Sequence, residues 1–184
     1  MLGPLEVHRV LLERQVDHEI VHLPRRLIDA DDLPDVLGLP PTRCAAVRVL
    51  AVDGRAGRGP VAMIAVAVPA GTWPDPAALA AVLGVRSARP ASSAEASAAT
   101  DYSATLVSPV GLPPALPLLL DTSLASLDPD TVLYTAAGAP SVALGIRVVD
   151  LLACTGARLA ELLPVRAPGW DTGGLPGGPL AVPA

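Results

Sequence analysis

Two adjacent apolar stretches constrain the fold of this chain more than any other part of its sequence. They are residues 43–52 (RCAAVRVLAV) and 61–68 (VAMIAVAV), joined by DGRAGRG at 53–59. Their length and the three glycines between them read as a β-hairpin with a wide loop. The second stretch is apolar on both faces, which places it in the middle of a sheet covered on both sides. The first is two-sided: Ala45, Val47, Val49 and Ala51 form one face, while Cys44, Ala46, Arg48 and Leu50 form the other. Arg48 is the only charge inside either strand.

The flanking segments supply the rest of an α/β chain. Leu5, Val7, Val10, Leu11 and Leu12 mark a helix over 5–15 with Pro4 at its start. Residues 17–23 read as a strand, and 31–37 as a helix with acidic residues at its N-terminus and Gly38 after it. Asp75-Pro76 starts a helix that Gly84 stops, and Ser92 with Glu95 forms a capping box for a helix to about Ala99. Further strands are predicted at 102–107, 116–120, 131–136 and 141–146, and a broken helix over 150–156 and 158–163. The expected organisation is one domain over 1–166 and a flexible tail over 167–184, where half of the residues are Pro or Gly.

Composition removes several classes of function. With 51% apolar residues and a net charge of −5, the chain is not disordered. No apolar run reaches the roughly 18 residues of a spanning helix. Glu6, His8, Arg9 and Glu13 are incompatible with a signal peptide. Two cysteines make no disulfide scaffold, so the expected compartment is the cytoplasm. All 13 basic residues are Arg. The absence of Lys, Phe and Asn reads as the coding bias of a high-GC genome, and it also excludes any lysine-dependent chemistry.

Generic motifs carry little. Gly54, Gly57 and Gly59 resemble a phosphate loop, but a strand follows them where a helix N-terminus would be needed. His18 and His22 share a strand face about four strand rises apart, too far for one metal ion. The arginine pairs Arg25/Arg26, Arg55/Arg58 and Arg86/Arg89 suit phosphate contacts, yet a pI of about 5.0 argues against a strong autonomous nucleic-acid binder.

A set of ordered short strings is more informative. They are Thr100-Asp-Tyr102, then Val107-Ser-Pro-Val-Gly111, then Leu116-Pro117 leading to Asp121. Leu37-Gly-Leu39 precedes the first hairpin strand, Val132-Leu-Tyr134 enters a later one, Gly138 follows in a loop, and Asp150-Leu151 opens the closing helix. This series resembles the YbaK/prolyl-tRNA synthetase-associated editing domain family. The resemblance implies a mixed α/β fold, with a mostly antiparallel, barrel-like sheet flanked by helices. It also implies hydrolysis of the ester joining a wrong amino acid to tRNA, without a cofactor or metal. The partners implied are the acceptor end of an aminoacyl-tRNA and a synthetase that delivers it.

Departures from the family pattern fall on functional positions. The family lysine is replaced by Ala46, paired glycines by Thr105 and Leu106, a Ser-Gly-Gly turn by Ala136-Ala137-Gly138, and a tyrosine by Leu23. The site expected from the resemblance has Arg48, Thr105 and Ser108 as catalytic residues, with Arg48 standing in for the lost cation. Ala46, Leu106, Pro109, Gly111, Ala136 and Gly138 would shape the substrate pocket. Two readings stay open: a deacylase with an altered site, or a catalytically inactive descendant that acts as a binding module.

Overall fold

The computed structural model describes residues 1–53 and 62–163. The glycine-rich connection and the expected tail lie outside the described residues. Helix α1 (Pro4–Glu13) leads to strand β1 (His18–His22), and a 3-10 turn (Ala30–Asp32) runs into α2 (Leu33–Leu37). The hairpin is β2 (Cys44–Asp53) and β3 (Ala62–Pro69), followed by α3 (Pro76–Leu83), β4 (Ser87–Pro90) and α4 (Ser93–Thr100). The remainder is β5 (Leu118–Asp121), α5 (Thr122–Ala125), β6 (Val132–Ala136), β7 (Val142–Arg147), α6 (Val148–Thr155) and β8 (Arg158–Ala160).

All eight strands share one mixed sheet, in the order β1-β7-β6-β2-β3-β5-β8, with β4 also paired to β2. The hairpin is its centre: β2 and β3 are antiparallel from Ala45↔Pro69 to Val52↔Ala62. On one face, Ala45, Val47 and Val49 join Ala65, Ala67, Leu120 and Leu144 in the main core, closed by Val7 and Leu11 of α1 and Leu151 of α6. The opposite face carries two separate clusters. One gathers Cys44 and Ala46 under Leu33 and Val36 of α2, and the other gathers Leu50 and Val66 under Leu79 of α3. Burying each such Val or Leu stabilises the fold by about 1.5–3 kcal/mol, so helices on both faces follow from a strand pair that is apolar on both.

Local signals explain the helix ends. The Asp75 carboxylate accepts the Ala77 N–H at 3.0 Å, and the Ser92–Glu95 capping box forms. Glu95 also takes both arms of Arg89 at 3.0 and 2.7 Å, clipping α4 to β4.

Two expected elements take another form. Residues 102–107 are a turn-rich loop, because their backbone groups bond away from any strand. The Thr105 carbonyl accepts from Ala30 N–H, the Leu106 carbonyl accepts from Gly138 N–H, and Leu106 N–H donates to Ser103. Residues 158–163 are not helical: β8 pairs parallel with β5. The N–H groups of Leu162 and Leu163 then donate to the Asp121 carboxylate at 2.8 and 3.2 Å. Strand β4 has no counterpart among the sequence expectations.

Candidate functional site

The β2 edge facing away from β3 is shared by two neighbours. Strand β6 pairs with it, in parallel, only at Cys44↔Tyr134 and Ala45↔Thr135. Strand β4 pairs with it, antiparallel, only from Leu50↔Pro90 to Asp53↔Ser87. Between them, residues 46–49 have no ladder partner on that side. A cleft of about 160 Å³ opens there, lined by Val47, Val49 and Arg48, by Asp29, Trp73 and Thr105, and by small residues of the 91–104 region.

Arg48 lies on the face opposite the main core, between the two apolar clusters, and is 6% exposed. Its Nη2 donates to Asp31 Oδ1 at 2.5 Å and its Nη1 lies 3.6 Å from Asp29 Oδ1. Nε and Nη2 both donate to the Thr72 carbonyl, at 3.2 and 3.1 Å. The guanidinium stacks 4.6 Å from the centroid of the half-exposed Trp73 ring. Asp31 Oδ1 additionally accepts the Gly71 N–H at 2.7 Å. The arginine therefore ties the 3-10 turn to the chain after β3, and its charge is met by two carboxylates. Arg48 is thus paired within the fold and is not itself a spare cation for a phosphate.

Thr105 reaches the same cleft from the 102–107 loop. It is exposed, and its Oγ1 donates to the Ile28 carbonyl at 2.8 Å, leaving the hydroxyl's lone pairs free to accept. Next to Asp29, the Asp32 carboxyl is held below its usual range by the N–H groups of Ile28 and Asp29.

The other expected site residues are not part of this cleft. Ala46, Leu106 and Ala136 are buried together in the apolar cluster beneath α2, with Leu23 packed against it. Three positions where the resemblance places polar or glycine groups thus form one hydrophobic contact. Ser108 is fully buried and its Oγ accepts the Val110 N–H at 3.3 Å. Pro109 and Gly111 line a separate cleft of about 330 Å³ beside Cys154 and Arg14.

Gly138 packs on Tyr102. Its φ is +84°, and a Cβ there would lie 2.8 Å from both the Leu2 carbonyl oxygen and Tyr102 Cδ1, so only glycine fits. Tyr102 is itself fully buried, and its hydroxyl donates to the Val110 carbonyl at 2.6 Å. Burial pushes its pKa up to about 12, which keeps it a neutral donor. Asp101, between Thr100 and Tyr102, occupies a left-handed conformation with φ 59°. Much of the ordered series of strings is therefore framework: Tyr102 and Gly138 brace one loop pair, and Asp121 joins β5 to the chain after β8.

Nothing in the sequence singles out Trp73 or the unpaired stretch of β2, and Asp31 reads there only as a helix-start charge. Trp73 had no motif around it, and a gap in a ladder depends on where two distant strands end. Among the described residues no group of three or more His, Cys, Asp and Glu side chains is placed to hold a metal ion. His18 meets His8, not His22, with Nε2 and Nδ1 2.7 Å apart. No described helix is long and apolar enough to cross a membrane.

Comparison with known proteins adds a family and a fold. Residues 26–154 match the family described as "Aminoacyl-tRNA editing domain". The structure resembles that of "hypothetical protein APE2540", with a TM-score of 0.74 at 20% identity, covering 85% of this chain and 98% of that one. It also resembles a "putative trans-editing enzyme for prolyl tRNA synthetase", with a TM-score of 0.68 at 24% identity, covering 86% and 95%. At these identities the two likenesses establish the fold alone. No curated protein sequence matches the chain.

Proposed function

This chain belongs to the aminoacyl-tRNA editing domain family, and we propose from that premise that it hydrolyses the ester of a mischarged tRNA. The acceptor end would enter the cleft between Thr105 and the unpaired stretch of β2. The observation that supports this reading is the convergence of Thr105, Asp29 and Arg48 on one cleft in a chain whose family lysine position is the buried Ala46.

Ester hydrolysis needs a positioned substrate, an oriented water and donors for the carbonyl oxygen. Thr105 Oγ1 accepts from a substrate hydroxyl or amine, and the Asp29 carboxylate, at the cleft wall, orients the attacking water. Arg48 acts through its neighbours: it fixes Asp29 and Asp31 and closes the cleft floor with Trp73. Ser108, Pro109, Gly111 and Gly138 support the loops that carry Thr105 and the end of β6. A cytoplasmic location and a synthetase that hands over the tRNA belong to the same proposal.

A second reading has its own observation. Ala46, Leu106 and Ala136 form a sealed apolar cluster, which suits a descendant that binds aminoacyl-tRNA without cleaving it. A panel of mischarged tRNAs decides between them. The wild type should deacylate at least one member, and Thr105→Val should lower kcat/KM about tenfold, the equivalent of one hydrogen bond. Retention of aminoacyl-tRNA with no turnover on any member would sink the hydrolase reading in favour of the binding module.

A further inference from the structure

We infer that the interrupted edge of β2 is a main-chain recognition element for a free α-amino acyl group, an inference that rests on reading this cleft as the aminoacyl site. The direction of the backbone groups follows from the registers. Ala65 N–H donates to the Pro117 carbonyl, so Ala65 and Ala67 turn their groups to β5, while Ile64, Val66 and Val68 turn theirs to β2. Their partners Leu50, Arg48 and Ala46 therefore carry the β2–β3 bonds. The N–H and C=O of Ala45, Val47 and Val49 point to the opposite edge.

Ala45 meets β6 there, and the Val49 carbonyl accepts the Ala91 N–H at 3.0 Å. The N–H and C=O of Val47 and the N–H of Val49 have no hydrogen-bond partner among the described residues. Both residues are about 95% buried, at 5% and 6% exposure. Unpaired backbone groups in so buried a strand are rare and call for a ligand or water. Both residues line the cleft.

The pattern along the edge is donor, acceptor, donor over about 7 Å, two strand rises. The four-residue gap is bounded by β6 and β4 and leaves no length for an added strand. A single aminoacyl ester fits the pattern: its ammonium donates to the Val47 carbonyl, and its carbonyl oxygen accepts from the N–H of Val47 or Val49. Charge agrees. Arg48 is already paired with Asp29 and Asp31, so its charge is met within the protein, and the Asp29 carboxylate on the cleft wall suits an ammonium. The small side chains of Ala91, Ala96 and Ala104 leave the edge accessible. An acylated amino group loses both the charge and two of its donors, so the site selects free aminoacyl esters over N-acylated, peptidyl-like ones.

The test uses the 15N-labelled protein titrated with L-alanine methyl ester and, separately, with N-acetyl-L-alanine methyl ester. The expected result is that the Val47 and Val49 amide resonances shift with the free amine, shift at least tenfold less with the acetylated probe at the same concentration, and stop responding in Ala104→Leu. Shifts confined to other amides, or equal responses to both probes, would overturn the inference. Should Ala104→Leu fail to give a folded spectrum, the wild-type titrations with the two probes still decide the matter. Deacylation of the tRNA panel without Val47 and Val49 shifts would overturn this element and leave the hydrolase standing. Shifts without deacylation would support the element and remove the hydrolysis.

Discussion

At the scale of single residues, Arg48 shows how a buried charge is tolerated in an otherwise apolar strand. Its partners among the described residues come from two short segments, 29–31 and 72–73, that the chain brings over one face of β2. Removing one member of such a buried ion-pair group costs more than the group contributes, because the remaining charges lose their counterion. Asp29 and Asp31 keep about a third of their exposure, which moderates that cost. Arg48→Ala should therefore lower unfolding free energy by about 2 kcal/mol, read from urea denaturation. The same substitution should leave the salt dependence of tRNA binding unchanged, since a phosphate contact would reduce the slope by about one. A reduced slope would instead make Arg48 a phosphate ligand. The sequence exposed Arg48 as the lone charge of the hairpin, but whether it pairs with carboxylates or faces a ligand depends on a turn 17 residues earlier.

At the scale of elements, what was legible follows from locality. The hairpin strands, the Asp75 and Ser92 caps and the terminations at Gly38 and Gly84 are set by neighbours a few residues apart, and they form as the sequence implies. Residues 102–107 and 158–163 depart from the local pattern because their backbone partners lie far away, in residues 30, 121 and 138. The candidate site follows the same rule: Thr105 and Arg48 could be named, while the gap between β6 and β4 could not, since it is a property of three strands at once. That gap has a direct signature in hydrogen exchange. The amides of Val47 and Val49, without ladder partners, should exchange at least tenfold faster than those of Arg48 and Leu50 in the same strand. Equal protection along β2 would mean that the edge is closed.

At the scale of the whole molecule, one sheet separates cores that carry different probes. Cys154 belongs to the main core and Cys44 to the cluster beneath α2. Burial pushes both thiols up to about 11 from an ordinary value of 9.0, so at pH 8 each holds roughly a hundredfold less thiolate than an exposed cysteine. Neither should react with a thiol reagent in the native protein, and both should become reactive over the same urea range if the sheet unfolds as a unit. Early labelling of Cys44 alone would show the α2 side opening independently, and mass spectrometry of the labelled peptides distinguishes the two. The pairing of β1 with β7 has another consequence. His22 pairs with Val142, about 120 residues further along, so during synthesis β1 waits on the order of ten seconds for the strand it pairs with, at the usual 5–20 residues per second. Strand β1 is made well before its partner, and a ribosome-bound chain carries it as an unsatisfied edge until β7 has followed.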